Sequence, residues 1–111
     1  MSKQEKLHKH LVRLASEFIE RESNRESLIT VTRAEITPDR EKAVLMISVM
    51  PNDKEEQVVR FLNRRKWDVR EYVMKNLNTR VIPFLSFHID LGEKNRQRID
   101  ELLKADNLKQ D

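Results

Sequence analysis

The chain has 111 residues, a net charge of +3, and a mean hydropathy of −0.74, with 37% charged and 38% hydrophobic residues. This length predicts a single domain with one modest core over residues 1–103, followed by a frayed tail at 104–111. No stretch approaches the roughly 18 apolar residues of a membrane span, the N-terminus lacks the apolar centre of a secretion signal, and cysteine is missing. We therefore expect a soluble, cytoplasmic monomer without disulfides or thiolate metal sites.

The scarcity of glycine excludes several phosphate-binding motifs. Gly92 is the only glycine in the chain, whereas average usage is about 7%. Glycine-rich loops bring bare backbone against a phosphate, so the Walker and dinucleotide-binding motifs are excluded. The same count excludes the Gly-x-x-Gly clamp with which ordinary KH domains hold a nucleic-acid backbone.

The first half of the chain predicts a helix and then a β-hairpin. From about Lys3 to Glu20 the apolar residues recur at steps of three and four, which is typical of an amphipathic helix. The segments LITVTRAEI and AVLMISVM predict two strands, and one face of the second strand is expected in the core. Between them, Thr37-Pro38-Asp39 has turn chemistry, because Pro38 presets φ and Asp39 can bond local backbone.

An interrupted helix follows the hairpin. Asn52 or Asp53 is a candidate N-cap, and the first turn carries acids that favour the helix dipole. The apolar stripe of this helix is interrupted at Arg65 and Lys66. Either the helix bends or breaks near this point, or its middle turn lies in solvent while both ends pack.

The remaining segments predict a third strand and a short C-terminal helix. FLSFHID after Pro83 alternates in the manner of a strand, Gly92 allows a change of direction, and Ile99, Leu102 and Leu103 suggest the helix. The order of elements is therefore α-β-β-α-(kink)-α-β plus the C-terminal helix. It predicts an α+β fold in which helices pack on one face of a three-stranded sheet.

No constellation of residues predicts catalysis or metal binding. His8 and His10 are two positions apart on a helix and do not share a face. His88 lies on a predicted strand without a ligand motif such as H-E-x-x-H. The acidic residues lie in charged, exposed contexts that would not raise a carboxyl pKa. We expect no catalytic residues, no metal ion and no cofactor.

The positive charge of the chain is concentrated in one segment. Residues 60–92 contain seven Lys or Arg and three acidic residues, a surplus of +4, while the other segments nearly cancel. Unpaired like charges on one element favour a polyanionic partner, although an ordinary solvated helix face is the plainer alternative. Trp67 lies inside this basic run, where it would either stack on a base or anchor the core or a helix junction.

Four segments together carry a family resemblance. They are ITVTRAEITPDREKAVLMISVMP at Ile29–Pro51, LNRRKWDVREYV at Leu62–Val73, RVIPFLSFHID at Arg80–Asp90 and RIDELL at Arg98–Leu103. In this order and spacing they resemble the ribosome-binding factor A family. The resemblance implies a KH-like fold of the second topological type without the Gly-x-x-Gly loop. It also implies binding to immature small-subunit rRNA during processing and assembly, with a role in cold adaptation in many bacteria. Where the family usually carries Ala-x-Gly at an interhelical kink, this chain has Arg65-Lys66-Trp67.

The leading hypothesis is a non-enzymatic assembly factor whose partners are the small ribosomal subunit and its precursor rRNA. The alternative is a basic protein-interaction module that binds an acidic protein partner. The predicted RNA-binding residues are Arg60, Arg64, Arg65, Lys66, Trp67, Arg70, Lys75 and Arg80. In the same interpretation Lys3, Lys6, Lys9, Arg13 or Arg33 extend the surface.

Overall fold

The computed structural model of the chain describes residues 3–79 and 81–92. Its elements are α1 (Lys3–Glu22), β1 (Leu28–Ile36), β2 (Lys42–Met50), α2 (Glu55–Arg64), α3 (Lys66–Asn76) and β3 (Phe84–Ile89), with a 3₁₀ turn at Asn52–Lys54 before α2. The predicted C-terminal helix and the tail at 104–111 lie outside the described residues, so the domain boundary at 103 stays a prediction. None of the helices in the described ranges is long and apolar enough to cross a membrane.

The three strands form one mixed sheet in the order β1-β2-β3. β1 and β2 pair in antiparallel fashion, as expected of a hairpin, and β2 and β3 pair in parallel. A parallel pair needs a long crossover connection, which α2 and α3 provide. The hairpin turn has the predicted chemistry, because the Asp39 carboxylate accepts a hydrogen bond from the Glu41 backbone N–H at 3.0 Å.

The core lies between the helices and one face of the sheet. Ala43, Leu45, Ile47 and Val49 of β2 are buried there, as predicted from their alternation. They belong to one cluster with apolar side chains of all three helices, which confirms the α+β fold with helices packed on one sheet face. The strand pairing extends this face, since Ile47 lies opposite Val31 of β1.

The opposite face of β2 is also buried. Val44 and Met46 form a second, separate cluster on this face. Lys42 on the same strand is only 7% exposed, and its buried Nζ has no hydrogen-bond partner among the described residues. Alternation along a strand shows which residues share a face, but it does not show how deeply each face is covered.

The interrupted apolar stripe corresponds to a break between two helices. α2 ends at Arg64 and α3 begins at Lys66, while Arg65 has a φ of −101° and a ψ of 10°. The backbone N–H of Arg65 donates to the carbonyls of Phe61 and Leu62 at 3.2 and 3.0 Å, a shared bond that tightens the last turn. The predicted bend or break is confirmed, and it occurs without the small residues of Ala-x-Gly.

The predicted N-cap of α2 is wrong. Asn52 and Asp53 form the 3₁₀ turn that precedes the helix, and the N-cap position is Lys54, which makes no side-chain capping hydrogen bond. The sequence contains capping residue types at this point, but the extra turn displaces the helix start beyond their reach.

A side chain of α2 completes the backbone hydrogen bonding of the edge strand β3. The Phe87 backbone N–H donates to Asn63 Oδ1 at 2.9 Å, and Asn63 Nδ2 donates to the Phe87 carbonyl at 3.0 Å. The same amide nitrogen also contacts the Val59 carbonyl at 3.1 Å. Asn63 therefore occupies the place of a neighbouring strand and ties the crossover helix to the sheet.

Candidate nucleic-acid interface

The exposed cations of α2 and α3 are weakly held or unpaired. Arg60 pairs with Glu56 at 3.4 Å and Lys75 with Glu71 at 3.3 Å, both between helix neighbours whose side chains are mostly exposed. Exposed pairs of this kind contribute only about 0.3–0.5 kcal/mol, so a phosphate can replace the carboxylate. Arg64 is exposed and makes no ion pair with any described residue. Its charge is therefore available to a ligand.

Arg65, although adjacent to Arg64, is bound within the fold. Its Nε donates to Asp68 Oδ2 at 2.7 Å and its Nη2 lies 3.4 Å from Glu22 Oε1. The guanidinium carbon also lies 5.3 Å from the Phe18 ring centroid and 5.9 Å from that of Phe61. The hydrogen bond to Asp68 raises the pKa of Arg65. Arg65 thus joins α1, α2 and α3 at the point where the helix breaks.

Two exposed aromatic side chains lie next to each other beside this break. Trp67 is 58% exposed and Phe84 is 51% exposed, and their rings meet edge to face with centroids 5.8 Å apart. Lys66 Nζ lies 5.7 Å from the Trp67 ring centroid. Because Trp67 is exposed, it does not anchor the core, which was one of the alternatives for this residue in the sequence analysis. We call Trp67 and Phe84 the aromatic platform.

Arg70 supports the aromatic platform. Its guanidinium carbon lies 4.6 Å from the Phe84 ring centroid, a favourable cation–π distance. Its Nη2 donates to the Ile82 carbonyl at 2.9 Å and its Nε to the Pro83 carbonyl at 3.3 Å. Arg70 therefore fixes the loop that enters β3, and much of its donor capacity is used inside the protein.

The structure does not place the predicted site residues on one continuous face. Lys66 and Lys75 are nine positions apart on α3, which corresponds to opposite sides of a helix with 3.6 residues per turn. Residues Arg60, Arg64, Lys66 and Trp67, which flank the break, form what we call the junction surface. Arg80 lies outside the described residues, and its role stays a prediction.

Sequence reasoning missed Phe84. Its position at the start of an alternating strand, on the side opposite the core residues Leu85 and Phe87, was the available signal. A single exposed phenylalanine is ordinary, but Phe84 and the neighbouring Trp67 together form a larger exposed apolar patch.

Two described carboxylates, Asp39 and Asp90, have lowered pKa values. The Thr37 hydroxyl holds the pKa of Asp39 below its usual value, and the Thr32 hydroxyl does the same for the pKa of Asp90. Carboxylates with lowered pKa values stay ionised and are poor proton donors near neutral pH. Among residues 3–79 and 81–92, no three His, Cys, Asp or Glu side chains group in a way that would hold a metal ion.

Comparison with known proteins identifies the family. A family model described as ribosome-binding factor A matches residues 3–103. The chain belongs to the ribosome-binding factor A family. Ribosome-binding factor A of Fervidobacterium nodosum is 35% identical over 80 residues, which cover 71% of this chain and 64% of that protein. The match thus spans slightly less than two thirds of this relative's length.

Solved structures of ribosome-binding factor A confirm the KH-like fold. The crystal structure of the factor from Thermus thermophilus has a TM-score of 0.70 at 21% identity and covers 80% of this chain and 97% of that chain. A homology model of the factor from the same species, fitted into a cryo-EM map of its complex with 30S, has a TM-score of 0.64 at 21% identity, covering 73% and 88%. At this identity the likeness establishes the fold alone.

Proposed function

We propose that the chain is a non-enzymatic ribosome assembly factor that binds immature small-subunit rRNA and assists its processing and maturation. In this proposal it acts as a monomer in the cytoplasm, with the small subunit as its partner. The observation that carries the proposal is membership of the ribosome-binding factor A family, since one relative of the same fold was fitted into a map of a 30S complex. Two exposed side chains near the helix break support an RNA contact, namely Arg64, which makes no ion pair with a described residue, and Trp67.

The junction surface is proposed to contact RNA through charge and stacking. Arg60, Arg64 and Lys66 would neutralise backbone phosphates, because their ammonium or guanidinium groups are unpaired or paired only with exposed acids. The aromatic platform would stack on an unpaired base, an interaction worth about 1–3 kcal/mol per base. Such contacts recognise single-stranded or unstacked RNA by charge and shape, which suits a precursor whose helices have not all formed.

The remaining cations divide into positioning and peripheral roles. Arg65 and Arg70 would hold the junction surface in place through their internal contacts, without binding phosphate themselves. Lys75 would add charge on another side of α3. We also propose a role in cold adaptation, as the resemblance to the family implies.

The adjacent arginines give a matched test of this division. Arg64→Ala and Arg65→Ala remove the same charge from neighbouring positions. We expect Arg64→Ala to weaken binding to small-subunit precursor rRNA by about fivefold near 0.1 M salt, with a salt slope lower by about 0.7. We expect its midpoint of thermal unfolding to change little, and Arg65→Ala to lower that midpoint. The measurements are filter binding across a salt series and calorimetry. Unchanged RNA affinity in Arg64→Ala would refute the assignment of the junction surface.

A second experiment separates RNA from an acidic protein partner. The intrinsic fluorescence of the chain comes from the exposed Trp67 and from Tyr72, which is half-buried. Stacking of a base on Trp67 should quench the tryptophan emission. Co-sedimentation with small ribosomal subunits should be lost after rRNA digestion. Persistent co-sedimentation with digested subunits would favour the protein-interaction module instead.

A further inference from the structure

A cleft at the end of α3 brings together side chains from three separate parts of the chain. It has a volume of about 370 Å³ and is lined by Lys6 and His10 of α1, Arg40 of the hairpin turn, and Asn78 and Thr79 of the loop before β3. The apolar side chain of Leu77 also lines it. No acidic residue is among its described lining residues. We call this the hairpin cleft.

Arg40 occupies a backbone conformation that arginine rarely adopts. Its φ is 63°, in the left-handed region that favours glycine. The surrounding turn holds it there, since the Arg40 N–H donates to the Thr37 carbonyl at 2.9 Å and the Thr37 hydroxyl donates to Asp39 at 2.6 Å. A strained residue in a rigid turn is a reason to look for function. Arg40 lines the hairpin cleft, although glycine would be the more stable choice at this φ.

The polar groups of the hairpin cleft are suited to an anion. Lys6 is exposed, and neither it nor Arg40 makes an ion pair with a described residue. His10 also lines the cleft, and its Nδ1 lies 3.3 Å from Arg13 Nη2 of the same helix. The side chains of Lys6 and Arg40 can only donate hydrogen bonds, and Asn78 can add its amide N–H.

One feature of the hairpin cleft disfavours anion binding, but its effect is smaller than that of the two cations. α3 ends at Asn76 beside the cleft, and the carbonyl end of a helix is unfavourable to negative charge by less than about 1 kcal/mol at an exposed site. Two full cationic charges in a partly enclosed cleft outweigh this partial charge. The arrangement selects a group with several acceptor oxygens and a negative charge.

We propose that the hairpin cleft binds a backbone phosphate of RNA, as a second contact beyond the junction surface. This inference rests on the proposed function. The helix α3 connects the two sites, since it begins at Lys66 of the junction surface and Leu77 follows its last residue. Its 11 residues span about 16 Å, a distance that a few nucleotides of extended RNA can bridge. One strand would therefore be held at both ends of this helix.

The test uses two arginines in the same backbone conformation. Arg25, in the loop between α1 and β1, also has a φ of 63° and does not line the hairpin cleft. Arg40→Gly and Arg25→Gly remove the same charge, and neither should lower the unfolding midpoint because glycine adopts positive φ freely. The probe is a short single-stranded oligouridylate, which offers phosphates without a specific sequence. Affinity is measured by fluorescence anisotropy across a salt series.

We expect Arg40→Gly to bind oligouridylate about fivefold more weakly near 0.1 M salt, with a salt slope lower by about 0.7, the effect of one phosphate contact on a single strand. Arg25→Gly should bind almost as the wild type does. Lys6→Ala should weaken binding in the same way as Arg40→Gly. If the two glycine variants bind equally while wild-type binding remains salt-dependent, the cleft assignment is overturned and the junction surface stands.

Two further outcomes would overturn the assignment of the hairpin cleft to RNA. If the wild type fails to bind oligouridylate or precursor rRNA at all, the proposed function fails and the cleft assignment fails with it. If polyglutamate competes with oligouridylate and its binding is equally sensitive to Arg40→Gly, the cleft is an acidic-protein site, and the RNA assignment is overturned.

Discussion

Replacing Asn63 by alanine should cost more stability than any comparable surface substitution. The change removes both hydrogen bonds to Phe87, whose side chain is completely buried at the sheet edge. A buried backbone group left without a partner costs about 1–3 kcal/mol, so the two groups together correspond to about 2–6 kcal/mol. Water reaches part of this site, because Asn63 is half-buried, and alanine gains about 0.6 kcal/mol in helix propensity. We therefore expect a net loss of about 2–3 kcal/mol in the free energy of unfolding.

Asn76→Ala is the matched control for this prediction. Asn76 Nδ2 also donates to a helix carbonyl, that of Tyr72 at 2.8 Å, but the bond is exposed and the residue holds no strand. The same helix-propensity gain applies, so the control should change the free energy of unfolding by less than about 0.5 kcal/mol. Urea denaturation followed by circular dichroism gives both values. A difference between the variants below about 0.5 kcal/mol would refute the role of Asn63 as a substitute strand partner.

Two further predictions concern charged groups. Asp90 has a lowered pKa because the Thr32 hydroxyl and then the Gly92 backbone N–H donate to it. The ionised Asp90 therefore stabilises the fold above the ordinary carboxyl pKa of about 3.9, and this stabilisation is lost as the pH falls through the lowered pKa of the folded state. In Asp90→Asn the free energy of unfolding should consequently fall less steeply with decreasing pH below about pH 4. Parallel acid profiles for the two proteins would contradict this. Lys42→Met should raise the free energy of unfolding by about 1 kcal/mol or more, because it removes a buried Nζ that has no hydrogen-bond partner among the described residues. A lower urea midpoint for this variant would show instead that Nζ makes a stabilising contact in the folded protein.

Much of the fold follows from local pattern. The spacing of apolar residues predicted the helices and the three strands, and the turn at Thr37-Pro38-Asp39 formed as its chemistry indicated. The interrupted stripe at Arg65 allowed either a break or a solvent-exposed middle turn, and the structure has the break. The depth to which each residue is buried could not be predicted from this pattern. Lys42 is buried on the sheet face opposite the predicted core face, since burial depends on what covers the strand.

For the candidate site, the amino-acid sequence determined where positive charge is concentrated and that no glycine-rich loop could hold a phosphate. The tertiary structure alone decided which cations are available. Arg64 and Arg65 are chemically identical neighbours, yet the break in the helix leaves one exposed and places the other between two carboxylates and two aromatic rings. Lys6 and Arg40 are far apart in the chain and meet at one cleft only because the hairpin turn folds back beside α1. Side-chain direction and long-range proximity depend on packing, and no local pattern of residues encodes either.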